Sequence, residues 1–331
     1  MGEGVKHIKW GIIGCGAVTE IKSGPAFYKV PHSQLVAVMR RDRVRAQDYA
    51  QRHGVEKFYS DVDQLIQDSE VDAVYVATPP SSHYSLALKV AAAGKPCCVE
   101  KPMALNYEAC CEMADAFERK NLPLFVAYYR RSLPRFNQIK AWLDEGQIGR
   151  VRQLHWSFSK PPNRYDLEQQ PNWRTQPDIS GGGYFFDLAC HGINLFQYLL
   201  GDIEHACGIA TNQQGLYQAE DAVSACWRFT NGALGSAYWN FAAHDCTDHV
   251  EIIGSAGKVS FAVFVEAPIV WTQIDAEEKL HIPNPEHIQY HHVENMVAHL
   301  RGEKTHPSLA SSAVHTNWVM EQILSKSDLH I

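Results

Sequence analysis

One short segment near the amino terminus limits the folds open to this chain more than any other. A β-branched run, Ile8–Ile13, leads directly into Gly14 and Gly16 and then into a helical stretch. Glycines at these positions permit a tight turn and let backbone N–H groups approach a pyrophosphate, which the positive end of the following helix also favours. The segment therefore predicts a dinucleotide-binding turn, with Gly14, Gly16, Ala17 and Val18 against the cofactor. A plain structural turn is the alternative.

The segments after this turn alternate in type. Short β-branched runs alternate with helical stretches through the first hundred or so residues, an order that builds a parallel sheet with helices on both faces. The predicted strands are 8–13, 35–39, 73–77 and 96–100, and the predicted helices are 43–53, 62–68 and 84–93. The amino-terminal part is thus predicted to be a doubly wound parallel sheet.

The pattern changes after about residue 121. A strand (124–129) and a helix (133–145) lead into strand 151–159, and consecutive strands then run from 203 to about 271 without intervening helices, which is typical of an antiparallel sheet. Asn231-Gly232 predicts a tight hairpin between two of them. Two helices near the carboxyl terminus, about 285–300 and 309–324, are expected to cover one face of this sheet. We predict an α/β protein with a dinucleotide-binding domain (1–123) and an α+β domain (124–331) whose large open sheet is mostly antiparallel.

Composition removes several classes of function. The chain has 30 Lys and Arg against 37 Asp and Glu, a net charge of −7, and no long basic run, so nucleic acid is not an expected partner. No apolar stretch approaches the roughly 18 residues of a membrane span, and the chain does not begin like a signal peptide, so we expect a cytoplasmic protein. Nine cysteines without a C-x-x-C motif predict reduced, mostly buried thiols and no metal site.

The end of the second predicted strand bears on the choice of cofactor. Sites that prefer NAD place a carboxylate there to accept from the ribose 2′-hydroxyl, but this strand runs into Arg40 and Arg41. A guanidinium can grip a 2′-phosphate through paired, charge-assisted hydrogen bonds. We therefore predict NADP(H) as the preferred cofactor, with NAD possible. The alternative is that both arginines are solvated and Asp42 serves the ribose.

Two further segments fall at predicted strand ends, where open α/β sheets bind ligands. The first is residues 77–83. In the second, Lys101 lies between a strand end and Pro102, which is predicted to be cis and so to aim neighbouring side chains sharply. An ordinary surface pair of Glu100 and Lys101 is the alternative. The candidate cofactor contacts in these two segments are Thr78, Pro79, His83, Glu100 and Lys101.

A long helix is predicted after the Gly181–Gly183 run. At 100° per residue, Asp187, His191, Asn194 and Tyr198 form one narrow polar stripe on an otherwise apolar helix. An unpaired buried polar group costs on the order of 1–3 kcal/mol, so this stripe must face partners or a cleft. Two alternatives remain open. One is that His191 is a core histidine held by Asp187. The other is that the two residues are metal ligands, for which the spacing identifies no third or fourth ligand.

A Pro-, Asn- and Gln-rich stretch, residues 160–183, is too long for an ordinary connection and is the kind of loop that often covers an active site. Its Trp173 and Arg174, together with Tyr128 and Arg130 before it, could offer aromatic and guanidinium surfaces to a polyol, sugar or sugar acid. The alternative is a flexible insertion that Trp173 packs down. His287 and His291, four apart on a predicted helix, are interpreted as solvated or packing residues, with metal binding as their alternative.

These motifs together resemble the Gfo/Idh/MocA oxidoreductases, which include glucose–fructose oxidoreductase and inositol dehydrogenase. The resemblance covers nearly the whole chain, and the Glu-Lys-Pro and Asp…His elements are its most specific parts. Pro80 stands where the family often has Asn, and Asn194 where it often has Asp. The quoted segments are 11–17, 77–83, Glu100-Lys-Pro102, 129–134, Trp173-Arg174, Gly181–Gly183 with Asp187 and His191, and Asn231-Gly232.

The resemblance implies a Rossmann domain followed by an α/β domain whose open sheet often forms a dimer interface, and hence a homo-oligomer, either dimer or tetramer. It also implies hydride transfer between a nicotinamide and a carbinol carbon of a carbohydrate-like molecule. His191 is the candidate base, because imidazole titrates near neutral pH. Asp187 would orient it, Lys101 would stabilise developing alkoxide charge, and Asn194 is a candidate substrate contact.

We expect Lys101 and His191 to converge on the reactive face of one bound dinucleotide. Two other function classes stay open. One is a glycosidase or lyase that uses a retained dinucleotide for transient oxidation. The other is a ligand-binding regulator on the same scaffold, against which the presence of both Lys101 and His191 argues.

Overall fold

The chain divides into two compact units that are not continuous in sequence. A computed structural model describes residues 7–325. The first unit contains the residues up to Ala104, Glu108–Ser132 and a returning segment, Pro285–Val314. The second contains Leu105–Tyr107, Leu133–Asn284 and the residues from His315 onward.

The first unit is built on the parallel sheet that the sequence predicts. Its strands are β1 (Ile8–Ile13), β2 (Ser33–Met39), β3 (Lys57–Tyr59), β4 (Ala73–Val76), β5 (Cys97–Val99) and β6 (Leu124–Val126). All neighbours pair in parallel, in the order β3-β2-β1-β4-β5-β6. The chain winds in opposite directions from β1 and β4, so the carboxyl ends of these two strands form the crevice in which such sheets bind ligands.

Short helices connect these strands: α1 (Ala17–Ile21), α2 (Ala26–Lys29), α3 (Arg43–His53), α4 (Val62–Gln67), α5 (His83–Ala92) and α6 (Tyr107–Glu118). Helix α3 has the predicted bounds because both of its ends carry strong signals. The Asp42 side chain accepts from the Arg45 N–H at 3.2 Å to cap the start. Gly54, at φ 66°, ends the helix in the left-handed conformation.

The second unit contains the predicted open sheet. Its eight strands pair antiparallel except for β7 and β10, which run parallel, in the order β14-β13-β12-β11-β7-β10-β9-β8. Asn231-Gly232 forms the predicted hairpin between β9 and β10, with Gly232 at φ 86°. The elements are α7 (Pro134–Asp144), β7 (Val151–Ser159), α8 (Arg164–Leu167), α9 (Pro177–Ser180), α10 (Tyr184–Leu200), β8 (Ile203–Thr211), β9 (Ala222–Phe229), β10 (Leu234–Asn240), β11 (Thr247–Gly254), β12 (Lys258–Phe261), β13 (Ile269–Gln273) and β14 (Ala276–Leu280).

Helix α10 packs closely on one face of this sheet. A Cβ built on Gly192 would lie 2.3 Å from the Trp156 ring, so only glycine allows this approach. Trp156 is fully buried and meets Trp239 and Phe196 edge to face, with ring centroids 5.5 and 5.4 Å away. This aromatic core fixes the position of the helix that carries Asp187 and His191.

The carboxyl-terminal part of the chain supplies α11 (Tyr290–Leu300) and α12 (Ala310–Leu324). The prediction that the first of these covers the antiparallel sheet is wrong. Val293, Met296 and Val297 are buried in the core of the first unit, in the same cluster as Phe27 and Phe125. An amphipathic pattern specifies a buried face but not the sheet that buries it.

Several features of residues 7–325 bear on function. No helix there has the length and apolar character that a membrane crossing requires. No group of three or more His, Cys, Asp or Glu side chains in the same range is placed to hold a metal ion. All nine cysteines are free thiols. Five are buried, one is half-buried, and Cys207, Cys226 and Cys246 are exposed.

Candidate active site

The turn between β1 and α1 has the geometry of a phosphate-binding loop. Gly14 adopts φ 97°, and a Cβ there would lie 2.7 Å from the Thr78 methyl carbon, so glycine brings the loops after β1 and β4 together. A Cβ on Gly16 would meet nothing within 4 Å, so the backbone there borders open space. Gly16 also caps α1, which begins at Ala17 and continues through Val18. These residues fit a dinucleotide pyrophosphate.

Arg40, at the end of β2, is held against this turn. Its Nη1 donates to the Cys15 carbonyl oxygen at 2.6 Å. The side chain of Cys15 is buried, which raises the pKa of its thiol to about 12. Arg41 is exposed. The Asp42 carboxylate caps α3 and also pairs with the Arg45 Nε at 3.4 Å. Of the three charged residues that could read the ribose, Arg40 is the one bonded to the glycine turn.

His83 joins the two loops that follow β4 and β5. It is wholly buried, its Nε2 lies 2.8 Å from the Thr78 carbonyl oxygen, and its Nδ1 lies 3.0 Å from the Pro102 carbonyl oxygen. Burial lowers the pKa of His83, and a neutral imidazole has a single N–H to donate. The structure therefore places His83 beneath the loops, while Pro79 beside Thr78 is exposed. The Lys101–Pro102 peptide is cis, as predicted.

Glu100 is a buried anchor rather than a surface charge. Its side chain is 8% exposed, and its Oε1 accepts from the Tyr75 hydroxyl at 2.5 Å and the Gln289 amide at 2.7 Å. Its Oε2 accepts from the backbone N–H of Lys101 at 3.2 Å. Burial raises the pKa of Tyr75 well above its usual range, so this hydroxyl keeps its proton and donates. Glu100 thereby fixes the backbone from which the half-buried Lys101 extends.

Sequence reasoning missed Gln289, because an isolated glutamine 189 positions from its partner gives no local signal. The segment that carries it is tied down just before α11. His287 faces the Ile21 carbonyl oxygen at 2.7 Å and the Lys29 Nζ at 2.6 Å. The backbone N–H of Gln289 donates to the Lys22 carbonyl at 3.1 Å. His287 is therefore a packing residue, as the sequence indicated.

Tyr128 and Arg130 follow β6. Both are buried, and the Arg130 guanidinium lies 4.9 Å from the centre of the Tyr129 ring. Strand order therefore aligns the sequence-predicted residues of the first unit along one edge of the parallel sheet. From β2 to β6 this edge carries Arg40, the Gly14–Gly16 turn, Thr78 with Pro79, Glu100 with Lys101, and Tyr128 with Arg130.

In the second unit, three predicted residues come together at the start of α10. The Arg174 Nε lies 3.4 Å from the Asp187 Oδ2, and the Arg174 guanidinium stacks 4.5 Å from the centre of the Trp173 ring. His191, one turn after Asp187, is 5% exposed and meets the Phe264 ring edge to face at 5.8 Å. A flexible insertion would not need these contacts of Trp173 and Arg174, so they argue against that alternative.

The rest of the polar stripe has partners inside the second unit. The Asn194 amide donates to the Thr316 hydroxyl at 2.9 Å, and this hydroxyl donates to Gln197 at 2.7 Å. The Tyr198 hydroxyl donates to the Asn137 side chain at 3.0 Å. Asn194 is 1% exposed, so the structure shows it joined to α12 within the fold.

Two family models cover most of the chain. Residues 8–128 match an oxidoreductase family with an NAD-binding Rossmann fold, and residues 136–260 match the GFO/IDH/MocA carboxyl-terminal domain. The chain belongs to the Gfo/Idh/MocA family. This member is therefore an NAD-binding oxidoreductase, as the resemblance implied.

Relatives of this Gfo/Idh/MocA oxidoreductase agree with the assignment. Oxidoreductase P35 of Formosa agariphila is 40% identical over 317 residues, which cover 95% of this chain and 98% of that protein. Levoglucosan dehydrogenase of Pseudarthrobacter phenanthrenivorans is 29% identical over 245 residues, or 65% of this chain and 62% of that protein. A solved levoglucosan dehydrogenase, in complex with NADH and levoglucosan, has the same fold, with a TM-score of 0.83 at 23% identity and 96% of each chain covered.

Proposed function

We propose that this oxidoreductase prefers NADP and interconverts a carbinol and a carbonyl on a sugar, inositol, diol or related small molecule. The observation that carries the proposal is the set of residues that follow the carboxyl ends of the parallel strands. An open glycine turn with a bonded arginine stands at one strand end, and a lysine on a buried carboxylate anchor stands two strands away from the turn.

The cofactor preference rests on Arg40. A guanidinium carries five N–H donors, so the single bond to Cys15 leaves others for a 2′-phosphate. The Asp42 carboxylate is engaged elsewhere, since it caps α3 and pairs with the Arg45 side chain. Gly14, Gly16, Ala17 and Val18 would hold the pyrophosphate.

The proton chemistry is assigned to three side chains, His191, Asp187 and Lys101. A bound nicotinamide supplies the hydride acceptor or donor. His191 takes the hydroxyl proton when the substrate is oxidised and returns it in the reverse direction. Asp187, one turn earlier on α10, orients the imidazole and favours its cationic form. The Lys101 ammonium stabilises negative charge on the same oxygen.

The proposed substrate class is based on the side chains near the start of α10 and on the activities for which relatives are named. The stacked Trp173 and Arg174 offer an aromatic surface and a fork of donors of the kind that bind polyhydroxylated molecules. Among the relatives are a levoglucosan dehydrogenase and a myo-inositol 2-dehydrogenase. Tyr128, Arg130 and Asn194 are proposed as further contacts or supports of that substrate. The outward face of the large sheet is proposed to join copies into a dimer or tetramer.

Replacing the proton-handling residues tests the chemistry. Lys101→Met and His191→Ala should each lower kcat by roughly 100- to 10,000-fold, the contribution typical of positioned acid–base groups. Both variants should still bind dinucleotide, measured by fluorescence titration, because neither substitution touches the glycine turn. Near-full turnover in either variant would contradict the assigned roles. A screen of sugars, inositols, sugar acids and diols with both nicotinamide cofactors identifies the substrate.

A pair of neighbouring arginines tests the cofactor preference. Arg40→Asp should weaken NADPH binding by roughly 10- to 150-fold, equivalent to about 1.5–3 kcal/mol for a charge-assisted contact, and should change NADH binding far less. Arg41→Asp makes the same charge change at the neighbouring exposed arginine and measures separately whether this second candidate contacts the phosphate. Equal losses for both cofactors in Arg40→Asp would remove Arg40 from phosphate recognition.

A further inference from the structure

The loop between β12 and β13, residues 262–268, contains no helix or strand, yet charged side chains hold it from two sides. The Asp248 carboxylate accepts from three consecutive backbone N–H groups of the loop. These belong to Val263, Phe264 and Val265, at 3.1, 2.6 and 3.1 Å. The Arg135 guanidinium donates to two carbonyl oxygens of the same loop at 2.9 and 2.8 Å. Asp248 therefore fixes the part of the loop that carries Phe264.

Asp248 also joins this loop to the core of the sheet. It lies on β11 two residues before Val250, which pairs with Trp156 of β7, so Asp248 and Trp156 share one face of the sheet. The Trp156 Nε1 donates to the Asp248 Oδ1 at 3.1 Å. Because Gly192 of α10 packs on the Trp156 ring, one carboxylate connects the support of α10 with the β12–β13 loop.

Phe264 carries this connection to the candidate base. Its half-buried ring meets the His191 ring edge to face, with centroids 5.8 Å apart and an interplanar angle of 87°. On its other sides it lies 5.1 Å from the Phe158 ring and 6.3 Å from the Trp156 ring. The backbone N–H of Phe264 makes the shortest of the Asp248 bonds, so the carboxylate acts directly at the residue that contacts His191.

The contact matters because the helix alone does not orient an imidazole ring. Backbone geometry fixes Cα and Cβ of His191, but the torsion that turns a histidine ring is broad. A base must lie within about 2.6–3.2 Å of the atom whose proton it takes. A misplacement of about 1 Å can lower a rate by roughly 100-fold. The ring of Phe264 restricts the rotation that would produce such a misplacement.

We propose that Asp248 is a positioning residue for the proton transfer assigned to His191, and that it acts by holding Phe264 against the imidazole. This inference rests on the proposed function. Asp248 is assigned no proton of its own, since its oxygens accept from the Trp156 indole and from the loop backbone.

A matched pair of substitutions tests the role of the carboxylate. Asp248→Asn keeps the size of the side chain but replaces one acceptor oxygen by an amide nitrogen, which cannot accept from the backbone N–H groups of the loop. Asp221→Asn is the control. The buried Asp221 carboxylate also accepts from two consecutive backbone N–H groups, those of Gln213 and Gln214 at 2.7 and 2.9 Å, but it holds a different turn of the second unit.

Nuclear magnetic resonance of the imidazole reads the contact without turnover. The full-length protein is labelled with ¹³C in its histidine rings, and His191→Gln identifies one signal among the 17 histidines. Phe264→Leu should shift the His191 signal, because it removes the ring current of the phenyl group. Asp248→Asn should shift the signal in the same direction, and Asp221→Asn should leave it in place. A signal that does not move in Asp248→Asn, or moves as far in Asp221→Asn, would overturn the proposal.

Initial rates test the consequence for catalysis, with the most active compound of the substrate screen as the probe. Asp248→Asn and Phe264→Leu should each lower kcat by roughly 10- to 100-fold and change KM far less, because proton transfer is affected rather than binding. The double variant should be no slower than the slower single variant, because both substitutions remove one contact.

Losses that add in the double variant would overturn the proposal. Full turnover in Phe264→Leu would also overturn it, and this result decides the question even if Asp248→Asn does not fold. Full turnover in His191→Ala would instead contradict the proposed function, and the imidazole signal would still report whether Asp248 positions the ring.

Discussion

The bond between Tyr75 and Glu100 yields a quantitative prediction. Tyr75→Phe removes one hydroxyl and keeps the ring, which stacks on Phe27 with centroids 4.9 Å apart. The lost bond is 2.5 Å long, and Tyr75 is wholly buried, so no water readily replaces the hydroxyl. A hydrogen bond to a charged group contributes about 1.5–3 kcal/mol, and we expect the free energy of unfolding to fall by this amount.

Urea unfolding followed by tryptophan fluorescence measures this loss, with an unchanged m value as the sign of intact two-state behaviour. Tyr59→Phe is the matched control. Its hydroxyl also donates to a carboxylate, Asp68 at 2.9 Å, but Tyr59 is half-buried, so water can take over and the loss should stay below about 1 kcal/mol.

The difference between wild type and Tyr75→Phe should be constant from about pH 6 to pH 9, because the pKa of Tyr75 is raised and the hydroxyl stays protonated throughout. A Tyr75→Phe variant as stable as wild type, or no less stable than Tyr59→Phe, would refute the reasoning that Glu100 is a buried anchor.

Three further outcomes are expected. His292 is wholly buried, and burial lowers its pKa to about 3, whereas the pKa of a histidine in the unfolded chain is near 6.5. The contribution of His292 to the free energy of unfolding is therefore fully present above about pH 6.5. It is lost as the pH falls, by about 2 kcal/mol at pH 5. Unfolding at about pH 7.5 and pH 5 measures this, and His292→Gln should reduce the difference. Gly192→Ala should lower stability by about 1–3 kcal/mol, because its Cβ would lie 2.3 Å from Trp156, and an unchanged Tm would contradict that packing. Thr316→Val removes the bonds to Asn194 and Gln197 and should lower the free energy of unfolding by about 1–3 kcal/mol in the same urea assay.

The parts of the fold with strong local signals could be predicted from sequence. Helix α3 has the predicted bounds because Asp42 and Gly54 mark its ends. Strand β3 was missed, because Lys57–Tyr59 is only three half-buried residues long and shows no period. Strand register also requires the folded sheet, which sets Cys207 of β8 opposite Cys226 of β9.

The residues of the candidate site also divide into those with a local sequence signal and those whose position depends on the folded chain. Gly14, Arg40 and Lys101 were predicted because open α/β sheets bind ligands at strand ends, and the structure places each of them after a strand of the parallel sheet. His83 was predicted to touch the cofactor, and the structure places its buried ring between the carbonyl oxygens of Thr78 and Pro102. Gln289 could not be predicted, because its role depends on a long return of the chain.

That return has a consequence for synthesis on the ribosome. The core around Trp10 and Phe27 is completed by Met296, which is made more than a hundred and fifty residues after Ser132. At roughly 5–20 residues per second, the nascent nucleotide-binding half waits about 8–33 s for its last helix. During that interval its apolar face is uncovered, so premature termination before α11 would release a chain with a permanently unfinished interior, which is a natural target for chaperones and proteases.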